Sequence, residues 1–308
     1  MNALRSAPYR SVDLSSLPLF QSSVSWGVKQ LSYAARRLPF YGRSLPALAV
    51  ISPSLHAAVV ETEGFGSICL DLRERICVPV FVYGCYRHQK PEDAILDALL
   101  RPGMKVFDIG ANIGYYSAFM SRRVGNHGLV VAVEPTSRGF RLLSKNKDLC
   151  PPNLIILQAA IGPTPGRAEV QEQKSLDTSF VRFATSEEQD AVAVLTLDGL
   201  KDQYGDPDIV KIDIEGAEIL ALQGAVETLA STVPPFVMVE YIASNASRFG
   251  GYARSELLAY FPNDRYRVFR IAPPGILCDL DVAPIAATND YLAVPLNFLS
   301  KVQSLIEK

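Results

Sequence analysis

The chain lacks any apolar run of the roughly 18 to 20 residues that a membrane-spanning helix needs, so a soluble, cytoplasmic protein is expected. It also lacks a CxxC pair. Its five cysteines, Cys69, Cys77, Cys85, Cys150 and Cys278, are odd in number and widely spaced, which argues against a zinc site and for a reducing compartment. There is little net charge, a formal −2, so a protein whose main work is neutralising nucleic-acid phosphates is excluded. Internal repeats and low-complexity tracts are absent, which leaves an ordinary globular chain of 308 residues with 48% hydrophobic and 20% charged residues, long enough for a large core.

Acids are scarce in one place only. In the first sixty residues Arg5, Arg10, Lys29, Arg36, Arg37 and Arg43 are opposed by Asp13 alone. The stretch Trp26 to Pro39 reads as a basic amphipathic helix that packs on the main domain or touches an anionic membrane surface. Residues 1–63 are therefore expected to form an accessory segment. Residues 64–102 should hold a β-hairpin, with "SICLDL" and "ICVPVFVY" as its strands, and a lead-in helix at "PEDAILDALL", where a proline and two acids mark the helix start. From 103 to about 300 strands alternate with helices: "KVFDIG", "GLVVAVEP", "NLIILQAAIG", "DIVKIDIE", "PPFVMVEYI", "YRVFRIA" and "DYLAVPL" are separated by helical patterns. Alternation of this kind makes crossovers and a mostly parallel, doubly wound sheet, and fully apolar strands such as "LVVAV" suit a sheet covered on both faces. The polar stretch 163–192 interrupts the beat, with "AEVQEQ" and "TSFVRFAT" as short strands over the sheet edge.

In such sheets ligands collect at the carboxyl ends of strands, beside glycine-containing turns. "DIGANIG", Asp108 to Gly114, has that position. Gly110 and Gly114 suit close approach or positive φ, and Asn112 is expected to cap the next helix through its side-chain oxygen. The spacing fits neither the dinucleotide fingerprint nor the phosphate loop, and Asp108 would repel a polyphosphate. Glu134 ends the next strand, twenty positions beyond Gly114, where an acid accepts hydrogen bonds from a ribose diol. A ligand that joins ribose to positive charge fits both acids, and S-adenosylmethionine is such a ligand.

Downstream, "KIDIEGAE" carries Lys211, Asp213, Glu215 and Glu218 at a strand end and helix start. Alternation places Lys211, Asp213 and Glu215 on one side. Ionisable groups at the edge of an apolar strand are costly to leave there without a purpose. Asp213 and Glu215 are candidate acceptor-side groups, one of them a base, with Lys211 pairing them; a purely structural cluster is the competing reading, and Glu218 fits that better. Glu240, ending "VMVEYIASN", either binds acceptor hydroxyls or holds the following loop. His88 is the histidine nearest this region, and a surface role suits it better. Of Tyr115 and Tyr116, one should pack in the core and the other wall the cofactor. No ligand spacing calls for a metal, and metal independence is expected.

Taken in order, "VFDIGANIGYYSAFMSRRVG", "VVAVEP", "LQAAIG", "LTLDGL" and "DIVKIDIEGAEILALQGA" resemble the FkbM-type S-adenosylmethionine-dependent methyltransferases over roughly Gly64 to Pro295. The resemblance implies a class I methyltransferase fold, Rossmann-like, with seven strands and the last antiparallel, and methyl transfer, usually to a hydroxyl oxygen. It implies that Asp108, Gly110, Ala111, Asn112 and Gly114 hold the methionine portion of the cofactor and Glu134 its ribose. It also implies that Gln158 and Ala159 meet the adenine edge, with glutamine standing where many relatives carry an acid or asparagine. A small-molecule or carbohydrate acceptor follows. A nucleotide-cofactor oxidoreductase on a related sheet and a non-catalytic cofactor-binding protein are the alternatives.

Overall fold

Short runs of β-branched and aliphatic residues bounded by turns build most of the molecule. The structure, a computed structural model, describes residues 41–62, 66–86, 90–171, 180–183, 191–280 and 288–307. The basic amphipathic segment and His88 lie outside them. The strands are β1 Ala58–Thr62, β2 Gly66–Leu70, β3 Lys105–Ile109, β4 Leu129–Val133, β5 Leu154–Leu157, β6 Ala159–Ile161, β7 Gly166–Gln171, β8 Phe180–Phe183, β9 Val192–Leu195, β10 Ile209–Ile212, β11 Phe236–Ile242, β12 Tyr266–Ala272, β13 Ile276–Asp279 and β14 Thr288–Pro295.

The main sheet has the order β13-β12-β14-β11-β10-β3-β4-β5. Strands β5, β4, β3, β10 and β11 are mutually parallel, and β14 inserts antiparallel between β11 and β12. From β3 the chain builds outward through β4 and β5, then returns to lay β10 and β11 on the other side. The reversal between β3 and β10 is where a doubly wound sheet opens a crevice. One face packs Val106, Met238 and Leu292 under Ile95, Leu96, Phe119 and Leu143; the other packs Phe107, Val131, Val210 and Val237 under Leu200, Leu222 and Leu257. Among the described residues no helix is long and apolar enough to cross a membrane.

Four local expectations are corrected. First, "ICVPVFVY" is not a strand: Cys77–Tyr83 is an α-helix. Its residues are buried nearly all round, and a wholly apolar run gives no period to separate strand from helix. Pro79 falls in the first turn, where its missing N–H costs nothing. The helix stops at Gly84, whose φ of 75° lets its N–H close on Val80 O. The hairpin instead pairs β2 with β1. Second, "NLIILQAAIG" breaks at Gln158, β5 staying in the main sheet and β6 joining a second sheet of order β6-β9-β7-β8, in which β7 and β8 are the short strands expected within 163–192. Third, "GAEILALQGAVETLA" is two helices, Glu218–Gln223 and Val226–Ala230; the glycine between them, Gly224, lies so close to the Gly162 carbonyl that a side chain would collide with it. Fourth, the main sheet has eight strands, because "ILCD" folds back after the Pro273-Pro274-Gly275 turn as β13 on the edge of β12.

Candidate active site

Strand β3 delivers Asp108 into the interior with no exposed surface. The Ser117 hydroxyl donates to Asp108 Oδ2 at 2.5 Å, while Oδ1 has no hydrogen-bond partner. Burial pushes the Asp108 carboxyl up; nearby Lys211 and the Ser117 bond pull it back, and Asp213 adds to the rise.

The turn that follows is held by its own backbone. The amides of Gly110 and Ala111 both donate to Val133 O at 3.0 Å, tying β3 to the end of β4. A Cβ on Gly110, at φ 85°, would run into the carbonyl oxygen of Asp213, and one on Gly114, at φ 83°, would sit 2.6 Å from Leu143 Cδ1. Positive φ is required at both, but the close approach each permits is by the protein's own chain. Asn112 does not cap the helix Tyr115–Val124: Gly114 is its N-cap residue and supplies no side-chain bond. Asn112 instead adopts φ 50° and donates its backbone N–H to Glu134 Oε2 at 2.8 Å, leaving its side-chain oxygen without a partner.

Glu134 is buried, its Oε1 accepting from Thr136 N at 2.9 Å and Thr136 Oγ1 at 2.6 Å. Burial pushes its carboxyl up, the Thr136 and Asn112 bonds pull it down, and Asp108 raises it further. Asp108 pairs with Ala132 across β3 and β4, so Glu134, two residues on, faces the same side of the sheet.

A second group gathers at the tips of β10, β11 and β14. Lys211 lies opposite Asp108 in register and is 5% exposed. Its Nζ donates to Asp213 Oδ2 at 2.9 Å and stands 4.8 Å from the Tyr116 ring centroid, a cation–π distance. Burial acts to discharge Lys211, but Asp213, Asp108 and Glu240 outweigh it and hold its pKa above the usual lysine value. Both Tyr115 and Tyr116 are buried. Glu240 pairs in register with Asp290 of β14; burial, then Asp213, Asp290 and Glu215, push Glu240 up to about 10. Burial raises the carboxyls of Asp290 and of Glu92, which lies on the helix Lys90–Leu99.

Glu92 and Asp290 are absent from the reading of the sequence. The signal for Asp290 was its place one step of alternation before the buried Leu292; Glu92 was masked by its fitness for a helix first turn. Glu215 has φ 58°, and its Oε2 accepts from Asn245 Nδ2 at 2.8 Å. Glu218 is structural: its Oε1 accepts from Ile214 N and Gly216 N, and its Oε2 from the Tyr252 hydroxyl at 2.8 Å. Tyr252→Phe strands that buried oxygen and is expected to cost about 1–3 kcal/mol, read from the urea midpoint at unchanged m-value. Gln158 is exposed and its Nε2 donates to Ser137 Oγ at 3.2 Å, beside the helix that follows Glu134. Ala159 buries its side chain in the opposite core, leaving only backbone to meet a ligand. Among the described residues no group of three or more His, Cys, Asp or Glu is arranged to hold a metal ion.

The model of the methyltransferase FkbM domain matches residues 108–270, from the buried aspartate of β3 into β12. The chain belongs to this family of methyltransferases. A hexuronic acid methyltransferase of Haloferax volcanii is 27% identical over 137 residues, 44% of this chain and 54% of that protein; the match thus spans about half of that relative's length. Among solved structures, methyltransferase FkbM from Methylobacillus flagellatus is 17% identical with a TM-score of 0.41, covering 70% of this chain and 52% of that one. Fibrillarin of Aeropyrum pernix, solved with natively bound S-adenosyl-L-methionine, is 13% identical with a TM-score of 0.39, covering 78% and 94%.

The cofactor of FkbM methyltransferases is S-adenosylmethionine. The residues present suit it. A buried carboxylate oxygen without a partner, Asp108 Oδ1, is expensive to keep unless a cation meets it, and Glu134 adds a second acid on the same face one strand away.

Proposed function

We propose that this methyltransferase moves the methyl group of S-adenosylmethionine to a hydroxyl oxygen of a small molecule or glycan. The observation that carries the reading is the unpartnered Asp108 oxygen one strand from Glu134, with an acidic group beyond it at the tips of β10, β11 and β14. In this reading Asp108 and the backbone from Gly110 to Gly114 hold the methionine portion, Glu134 the ribose, and Gln158 with the backbone of Ala159 the adenine edge. The bound cofactor supplies an electrophilic methyl carbon on a sulfonium. In-line displacement there would require the acceptor oxygen to be held behind that carbon, at about 3 to 3.5 Å.

Transfer would break the S–CH3 bond, release S-adenosylhomocysteine and leave the acceptor oxygen strongly acidic, so an ordinary carboxylate would suffice to take its proton. Asp213, bonded to the Lys211 ammonium at 2.9 Å, fits that role. Glu240, pushed up to about 10, fits as a hydrogen-bond donor to the acceptor, and Glu215, bonded to Asn245 Nδ2, as a further acceptor-side group. A carbohydrate acceptor is favoured by the sugar-methylating relative and by a site rich in hydroxyl-binding carboxyls. The sheet β6-β9-β7-β8, which begins immediately after Gln158, serves in this reading as a cover for the acceptor, and the basic residues 1–63 as an accessory segment for peripheral membrane contact.

Calorimetric titration tests the cofactor half: S-adenosylhomocysteine is expected to bind with a Kd on the order of 10 µM, and binding of a nicotinamide dinucleotide in its place would sink the proposal. Labelled-methyl transfer to a panel of sugars and glycolipids tests the other half; cofactor binding without transfer to any of them would leave a binding protein rather than a hydroxyl methyltransferase.

A further inference from the structure

Glu134 has less to offer a ribose than its place at a strand end suggests. An ionised carboxyl has about four acceptor positions, two on each oxygen. Both on Oε1 are filled, by Thr136 N at 2.9 Å and Thr136 Oγ1 at 2.6 Å, and the Thr136 hydroxyl is itself fixed by accepting from Gly139 N at 3.0 Å. On Oε2, Asn112 N fills one at 2.8 Å. A single position on Oε2 is left for a ligand, and a ribose brings two neighbouring hydroxyls. Beside that oxygen stands Asn112, whose own N–H ends on it. Two observations mark its side chain. The Oδ1 atom is buried and has no hydrogen-bond partner, which costs free energy unless a donor meets it. The backbone has φ 50°, a conformation that glycine adopts freely and for which the same turn uses glycine at 110 and 114. Asparagine at that position carries a backbone cost that glycine would spare, and what it adds is the side-chain amide.

Resting on the reading of this crevice as the S-adenosylmethionine site, we infer that the Asn112 side chain is a second ribose-binding group: Glu134 accepts one ribose hydroxyl, on Oε2, and Asn112 takes the other. Thr136 is a positioning residue in this scheme, because its two bonds keep Oε1 from the ligand and leave Oε2 to it. The amide suits the task whichever way it is turned, since its oxygen accepts from a hydroxyl and its NH2 donates to one. The two contacts differ in strength. A hydroxyl on Oε2 meets an ionised group, one on Asn112 a neutral amide, and hydrogen bonds to charged groups are roughly twice as strong. Discrimination between cofactor analogues is therefore lopsided, and the smaller part of it belongs to Asn112.

The test is calorimetric titration of the full chain with S-adenosylhomocysteine and with its 2′-deoxy and 3′-deoxy forms. In the parent, loss of the hydroxyl held by Glu134 is expected to raise Kd roughly thirtyfold, and loss of the one held by Asn112 roughly fivefold. Asn112→Gly keeps the backbone conformation and the N–H while removing the amide. It is expected to bind S-adenosylhomocysteine about fivefold more weakly and to erase the smaller penalty to within about twofold, leaving the larger one in place. Asn112→Asp, which keeps an acceptor oxygen on a residue tolerant of positive φ, is expected to retain both penalties, and Glu134→Gln to shrink the larger one alone. Both penalties intact in Asn112→Gly, with or without a uniform weakening, would show that Asn112 only shapes the turn and would overturn the inference. Both penalties shrinking together in Glu134→Gln would mean that Glu134 holds the whole diol, and would overturn it too. Tight binding of all three ligands by the parent removes the ribose contacts of both residues while the cofactor reading stands. Failure of the parent to bind S-adenosylhomocysteine at all is the separate result that overturns the cofactor reading itself.

Discussion

Asp108→Asn is expected to weaken S-adenosylhomocysteine binding by roughly a hundredfold, about 3 kcal/mol, while the unfolding free energy stays within about 1 kcal/mol of the parent or rises. The two halves come from the same geometry. Asn keeps the shape and an oxygen for the Ser117 hydroxyl, but it loses the charge that a cationic amino group would meet at Oδ1. In the unliganded protein that charge is a burden. Burial raises the carboxyl's folded pKa above its unfolded value, so the native state holds a proton more tightly and loses stability as pH climbs from the unfolded value through the folded one. Removing the titration removes that loss, and the loss of one of Lys211's neighbours offsets part of the gain. Calorimetry with S-adenosylhomocysteine and urea denaturation at pH 5 and pH 8 read the two quantities separately. A variant that binds normally but unfolds early would recast Asp108 as a core residue and remove the main support for the cofactor site.

Much of this arrangement is visible in the sequence because it depends on local rules. The apolar runs of β3, β4, β10 and β11 are buried on both faces, so their strand character needs no knowledge of partners. Asp108 and Glu134 each sit at the last buried step of such a run, and a mostly parallel order then brings the two together. What fails is whatever depends on distant contacts. Cys77–Tyr83 coils because every side of it is covered, and a run without polar residues carries no record of which period it follows. Asn112 has the chemistry of a cap, yet the turn places it at positive φ and spends its amide on Glu134. Gly110 and Gly114 read as openings for a ligand, whereas the atoms beside them belong to Asp213 and Leu143. Glu240 and Asp290 lie fifty positions apart; only the antiparallel insertion of β14 beside β11 makes them a pair.

Lys211→Met tests whether one cation holds the acidic tips together. Methionine preserves the length and apolar stem of the side chain and its contact with the Tyr116 ring, so the change is one of charge. Breaking a buried pair by removing one partner costs about 3 kcal/mol or more, because the other charge is left uncompensated, and here Asp108, Asp213 and Glu240 all lose the same counter-ion. The pH dependence separates this from a simple packing defect. In the parent, Lys211 has a folded pKa raised above its unfolded value, so its contribution is fully present below about pH 10.4 and is lost only as pH rises through the folded value. In the variant the neighbouring carboxyls, already raised at Asp108, Glu240 and Asp290, rise further, and the native state binds more protons than the unfolded chain. Its stability is therefore expected to be closest to the parent's near pH 4 to 5 and to fall behind progressively toward pH 8. Denaturation curves that remain a constant distance apart across that range would mean that Lys211 acts through packing alone.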